Sequence, residues 1–185
     1  MRRISFINNN TYSSSFGGNH LSFQEAPGKQ EIAQIYGVLY YQFGRRAAEE
    51  VLKLAGELKV KRYSSGIIRE VLLSGKPILY HNPTTGLFTL SWVGAQVIFP
   101  LVPPERRRIF VKKDIFERYT KRVLLAPAVA GSSEDIRPGD EVFLVDESGS
   151  LLALGKALVS AAELKSIRKG KIAFVRRSFD ELQES

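Results

Sequence analysis

A chain of 185 residues, 44% of them hydrophobic and with a formal charge of +8, can bury a core and favours a polyanionic partner, with nucleic acid the leading class. The absence of cysteine excludes a disulfide framework, a thiolate zinc site and a cysteine nucleophile, and makes an intracellular, cytoplasmic setting the default. No apolar run approaches the roughly 18 residues of a membrane span, and the N-terminus lacks an apolar signal core.

The basicity is spread along the chain. Residues 1–104 hold 11 Lys/Arg against 6 Asp/Glu, and residues 105–185 hold 16 against 13. Four of the five asparagines fall in the first 19 residues. With a Lys/Arg/Glu-rich remainder, that composition leans towards a thermophile. Residues 1–28 carry Asn8-Asn9-Asn10, Ser13-Ser14-Ser15 and Gly17-Gly18, the composition of a flexible leader.

An α+β domain is expected over residues 29–104. Ile32, Ile35, Val38 and Leu39 recur at helical spacing, while Tyr40, Tyr41 and Phe43 suggest a strand end. After Gly44, a helix is predicted with Ala47, Ala48, Val51, Leu52, Leu54, Ala55 and Leu58 on its apolar side. Short strands follow at Ile67–Leu73, Ile78–His81 and Leu87–Ser91, punctuated by Ser74-Gly75 and Pro83-Thr84-Thr85-Gly86. A short helix is predicted over Trp92–Phe99. Leu101-Val102-Pro103-Pro104 reads as a linker stiffened by its prolines.

Residues 105–185 read as a β-rich domain. Ile109-Phe110-Val111 is a strand, and Asp114 with Glu117 gives a capping-like start to a helix reaching about Lys121. Val123–Ala126 is the next strand. Pro138-Gly139 suits the centre of a type II turn, and the unbroken apolar run Val142–Val145 is that of a strand buried on both faces. Gly155 interrupts the strand Leu151–Ala157, as at a bulge or a close backbone approach. Ser160 and Glu163 form a capping box for a short helix, and Gly170 fits its left-handed stop. Ile172–Val175 is the last strand, with Arg176-Arg177 leaving the barrel.

Few residues carry catalytic chemistry. The histidines are His20 and His81, and neither sits in a recognisable motif; His81 is expected to be a surface or satisfied turn residue rather than a ligand. Asp140 and Glu141 are neighbours on a strand and point to opposite faces, so they do not form an acid/base dyad. A phosphate-binding Gly-x-x-x-x-Gly-Lys-Ser/Thr loop is absent. No catalytic residue, cofactor or metal is predicted.

The order Ala126-Pro127-Ala128-Val129, Asp135-Ile136-Arg137-Pro138-Gly139-Asp140-Glu141-Val142, Leu152-Ala153-Leu154-Gly155-Lys156-Ala157, Ser160–Leu164 and Lys169–Arg176 resembles the PUA domain, an RNA-binding β pseudo-barrel. Tyr41-Gln42-Phe43-Gly44, Ser64–Val71 and Gly86–Ser91 with Gly94-Ala95 are similar to the domain preceding PUA in archaeal tRNA-guanine (archaeosine) transglycosylases. The chain thus resembles the C-terminal RNA-binding half of that enzyme over residues 36–177. The resemblance implies RNA as the partner, tRNA first and rRNA second, together with a separate catalytic modification subunit. The family's reaction needs a (β/α)8 barrel of about 250 residues, which this chain cannot contain. A ribosome-assembly factor and an enzyme with a site in residues 29–104 are the other readings.

The RNA groove implied by the resemblance comprises Lys112, Lys113, Lys121 and Arg122 at the first PUA helix, Lys169, Lys171, Arg176 and Arg177 at the last strand, and Pro127 and Val129 as apolar edge contacts. Arg106-Arg107-Arg108 are further candidates, and Arg45, Arg46, Lys59, Lys61 and Arg62 are a possible extension of the footprint. The family's glycine-rich turn after that helix is replaced here by Tyr119-Thr120-Lys121-Arg122, so cations stand where backbone would approach RNA.

Overall fold

The computed structural model describes residues 24–178. The predicted leader lies mostly outside these residues. Its last stretch does not: Glu25 bridges Val60 in a two-way backbone pairing, and its carboxylate pairs with Arg62.

Helix α1, Lys29–Phe43, buries Ile35, Leu39, Gln42 and Phe43 along one face. That face overrides the β-propensity of Tyr40 and Tyr41, which sit in the last helical turn rather than in a strand. Gly44, at φ +93°, breaks the chain into α2, Arg45–Lys53. The predicted helix was too long: Leu58 opens strand β1, Leu58–Arg62, with Leu58 and Val60 buried and Lys59 exposed. Strands β2 Ile68–Leu73, β3 Lys76–His81 and β4 Phe88–Leu90 complete an antiparallel sheet in the order β1-β2-β3-β4. Helix α3, Trp92–Ile98, follows, capped by Ser91 Oγ accepting from Gly94 N at 2.9 Å.

The second half contains β5 Arg108–Val111, α4 Lys113–Tyr119, β6 Val123–Leu125, β7 Val129–Ser132, β8 Glu141–Val145, β9 Leu151–Ala157, α5 Ala161–Ser166 and β10 Lys171–Ser178. Its six strands form one mixed sheet in the order β6-β10-β9-β8-β5-β7, with β5 and β8 parallel. This is the expected α+β half followed by a β pseudo-barrel. The Pro138-Gly139 turn closes with Asp140 N donating to Arg137 O at 3.1 Å, and the Ser160–Glu163 capping box forms. Gly155 takes close backbone: its missing Cβ would lie 3.0 Å from Phe174 O.

Three details of the second half differ from the sequence reading. Helix α4 starts after Lys112 without a side-chain cap and stops at Tyr119. Helix α5 ends at Ser166, and Gly170 instead turns the chain into β10. Strand β10 continues past Val175, with Arg177 opposite Leu154.

The halves share a core. Strand β8 is buried on both faces, so its side chains alternate between two apolar clusters. Phe143 and Val145 join Phe43, Phe88 and Trp92 of the first half, while Val142 and Leu144 pack with Ile109 and Ile172 behind. The Phe143 ring lies 5.9 Å from Phe43 and 5.1 Å from Phe99. Burying one such side chain contributes about 1.5–3 kcal/mol. The expected linker is part of this packing, for Val102 is only 2% exposed.

Candidate nucleic-acid interface

Backbone pairing brings two sequence-distant basic segments to one place. Between β6 and β7 the chain makes a 3-10 turn, Ala126–Ala128, with Pro127 exposed at its middle. On one side Lys112 N donates to Ala128 O at 2.9 Å; on the other, Ala126 N donates to Gly170 O at 3.0 Å. Lys171 stands opposite Leu125 in the β10–β6 register. Lys112 and the Lys169–Lys171 segment therefore flank Pro127. A cleft of about 530 Å3 opens there, lined by Lys112, Pro127, Val129, Lys165 and Arg168 among others. Lys112, Lys113, Lys169 and Lys171 are exposed.

Lys121 and Arg122 lie at the opposite end of β6, both exposed, with Arg122 O accepting from Val175 N at 2.8 Å. Three strand residues, about 10 Å, separate Arg122 from Leu125. Strand β6 is an edge strand, so this row of cations follows an open rim of the sheet. Tyr119, Leu125 and Phe174 are exposed in the same region, with Phe174 opposite Val123. Among the described residues, Lys112, Lys121, Arg122, Lys169 and Lys171 take no part in an ion pair; Lys113 approaches Glu117 at 3.8 Å.

Arg176 has a different environment. It pairs with Glu141, whose side chain is only 3% exposed and which also accepts from Leu90 N at 3.1 Å. Arg176 thus ties β10 to β8 and faces the first half. For Arg177 the structure gives the backbone position opposite Leu154.

The run Arg106-Arg107-Arg108 departs furthest from the nucleic-acid reading. Arg107 has a side chain 7% exposed, pairs with Asp140 and with Asp135 at 3.3 Å, and donates from Nε to Gln42 O at 3.0 Å. Burial pushes its basicity down against the pull of Asp135. Arg108 covers the Phe99 ring at 4.6 Å and donates to Val102 O at 3.1 Å. Arg106 pairs with Asp135 at 3.2 Å. Arg107 and Arg108 fasten the halves together. Of the possible footprint extension, Arg62 binds Glu25 and Glu31, Lys61 pairs with Glu70, and Arg45 pairs with Glu49.

Lys165 and Arg168 were not predicted from sequence. Lys165 lies on α5 and Arg168 two residues past its end, and both line the cleft beside Pro127; Lys165 is partnered by Glu134 at 2.9 Å. The basic spacing Lys165-x-x-Arg168 across the end of a short helix was the available signal.

Asp140 and Glu141 are occupied structurally. Asp140 accepts from Arg137 N at 2.8 Å and pairs with Arg107, whereas Glu141 faces Arg176. Asp146 is held below the usual carboxylate range, first by the Ser148 hydroxyl and then by backbone N–H groups of its own turn. His81 is not at the surface or bonded in a turn: it is 7% exposed, edge-on to Phe88 at 5.6 Å, and among the described residues neither ring nitrogen has a hydrogen-bond partner. Among the described residues no cluster of His, Asp or Glu could hold a metal, and no helix is long and apolar enough to cross a membrane.

Residues 107–179 match the family model of the PUA domain, and they are the residues that form the six-stranded mixed sheet. Residues 33–105 match the patch-forming domain C2 of tRNA-guanine transglycosylase. More narrowly, the chain resembles the PUA-containing part of the archaeal tRNA-guanine transglycosylases. A tRNA-guanine(15) transglycosylase of Thermococcus onnurineus is 35% identical over 159 residues, which is 84% of this chain and 27% of the relative. The chain thus spans about a quarter of the curated relatives it matches. A hypothetical protein of Pyrococcus horikoshii OT3 shares the fold at a TM-score of 0.67 and 23% identity, over 88% of this chain and 98% of its own. A conserved PUA domain protein of Thermoplasma acidophilum does so at 0.58 and 21%, over 86% and 97%.

Proposed function

We propose that this chain is a non-catalytic RNA-binding protein that docks structured tRNA for a separate transglycosylase-like catalytic subunit. The observation that carries the reading is the flanking of Pro127 by Lys112 and Lys169–Lys171, continued along β6 to Lys121 and Arg122. Two basic segments far apart in sequence and adjacent in space make a phosphate track rather than a scattered surface charge. Pro127 and Val129 add an apolar floor against which sugar or base can rest.

Recognition of this kind rests on shape and phosphates, because the deep, narrow major groove of A-form RNA hides its bases from side chains. The kinship with tRNA-guanine(15) transglycosylases, confined to about a quarter of their length, supports a tRNA-docking role and a catalytic partner. Crosslinking and sequencing of bound RNA tests the reading. Recovery of tRNA is expected, and recovery of rRNA fragments instead would move the protein to ribosome assembly. A pull-down that returns no modification enzyme, with unchanged archaeosine in a deletion strain, would remove the accessory role.

A further inference from the structure

The groove makes no use of Tyr41-Gln42-Phe43-Gly44. Gln42 is explained by packing: it donates to Phe88 O and accepts from Phe88 N, both at 2.8 Å, and Phe43 is fully buried. Tyr40 and Tyr41 are not explained in this way, being 50% and 55% exposed. Both line a second cleft, of about 770 Å3, between the end of α1 and the start of α5. This volume lies within the roughly 300–1,000 Å3 of small-ligand sites. Gly44 belongs to its wall, and a Cβ there would lie 3.0 Å from Arg106 Nη1.

The charge of the cleft is biased. Arg45, Arg106, Arg107 and Arg137 line it with Glu134 and Asp135, and of the four arginines Arg45 is paired with Glu49 and Arg107 also with Asp140. Asp135 is neutralised by Arg106 and Arg107 at 3.2 and 3.3 Å, and Glu134 by Lys165 at 2.9 Å. Arg137 is exposed and takes part in no ion pair among the described residues. Exposed aromatic rings beside guanidinium groups suit unstacked bases, whose phosphates the cations can reach.

Helix α5 connects this cleft to the groove. Ser160 to Ala162 line the cleft, whereas Leu164 and Lys165 line the groove. The segment before β8 does the same: Val129 to Ser132 face the groove and Glu134 to Arg137 the cleft. A helix of six residues is about 9 Å long, short enough for one strand to pass from one to the other.

We infer that the Tyr40–Tyr41 cleft is a second RNA subsite, which takes unpaired nucleotides extending from the stem held in the groove. Tyr41 stacks on a base, and Arg137 holds a phosphate. The inference rests on the RNA-binding reading of the groove.

The test uses the full chain with a short blunt hairpin RNA and with the same hairpin carrying an unpaired extension of about four nucleotides at either end. For the wild type, the extension at one end tightens binding about tenfold, the effect of one stacked base. Tyr41→Ala abolishes that gain while leaving blunt-hairpin affinity unchanged, and Tyr41→Phe keeps it, since the ring and not the hydroxyl stacks. A photoreactive base in the extension crosslinks to α1. An extension that adds nothing to wild-type affinity, or a gain that survives Tyr41→Ala, overturns the subsite. Failure of the groove itself reads differently: Lys112→Ala with Lys171→Ala then leaves blunt-hairpin binding unaltered. Melting curves of both Tyr41 variants establish that they fold.

Discussion

Arg107→Met separates a fastening arginine from a phosphate-binding one. Arg107 sits in a basic run yet is buried against Asp140, Asp135 and the Gln42 carbonyl. Methionine keeps most of the volume and removes the charge. Breaking a buried ion pair by deleting one partner costs about 3–5 kcal/mol, because the other charge is left uncompensated. Asp135 retains Arg106 at 3.2 Å and its side chain is 26% exposed, so it can rewet; Asp140, at 12%, cannot. The lower figure, about 3 kcal/mol, is therefore expected. For a chain of this size that lowers Tm by about 6–12 °C. Arg106→Ala, which removes a more exposed pair, should cost less than about 1 kcal/mol. The assay is a thermal melt at neutral pH paired with RNA titrations over a salt series. Arg107→Met should leave the salt slope unaltered at temperatures where it is folded. A Tm within about 2 °C of wild type, with a slope reduced by about 0.9, would refute the assignment and return Arg107 to the RNA surface.

Lys121→Ala with Arg122→Ala should reduce the salt slope of RNA binding by about 1.8, two phosphate contacts, with little change in Tm; an unaltered slope would remove the far end of the groove. Glu31 is held below the usual carboxylate range, first by the hydrogen bond from Arg62. Its contribution to stability is therefore present above the ordinary carboxylate pKa and is lost as pH falls through the lowered folded-state value. Acid titration of Tm should show Glu31→Gln losing stability at neutral pH and converging on wild type at low pH. Gly94→Ala should be severe, about 3 kcal/mol or more in a denaturant melt, since the added Cβ would lie 1.9 Å from Ile78 O and backbone must move.

Local chemistry made much of the barrel legible. The four-residue run Val142–Val145 could only be a strand covered on both faces, and Ser160 with Glu163 announced α5. What escaped depends on contacts between distant residues. Tyr40 and Tyr41 have strand propensity, yet Ile35, Leu39 and Phe43 bury a helical face beside them. Leu58 fits the apolar side of α2 as well as the alternation Leu58-Lys59-Val60, and the pairing of β1 with β2 decides for the strand. The proposed groove was half legible for the same reason. Lys112 and Lys171 are exposed, but Arg107 and Arg176 look identical to them in sequence. Their partners, Gln42 and Asp135 for one and Glu141 and Leu90 for the other, lie 28 to 86 residues away.

The buried arginines also bear on how the protein can recognise RNA. Arg107 reaches from the second half to the last turn of α1, the helix that carries Tyr40 and Tyr41, while Arg176 and Glu141 reach to Leu90. Phe143 and Val145 add apolar contact across the same junction. A shared core makes the halves one packed body, so the groove and the tyrosine cleft are held at a set separation before RNA arrives. Little ordering cost then falls on the protein at binding, and a stem with an unpaired extension of the right length gains over one whose extension is too short to reach. Loosening the junction with Arg107→Met should therefore weaken binding of the extended hairpin more than that of the blunt one. A fastening residue would then act on RNA without touching it.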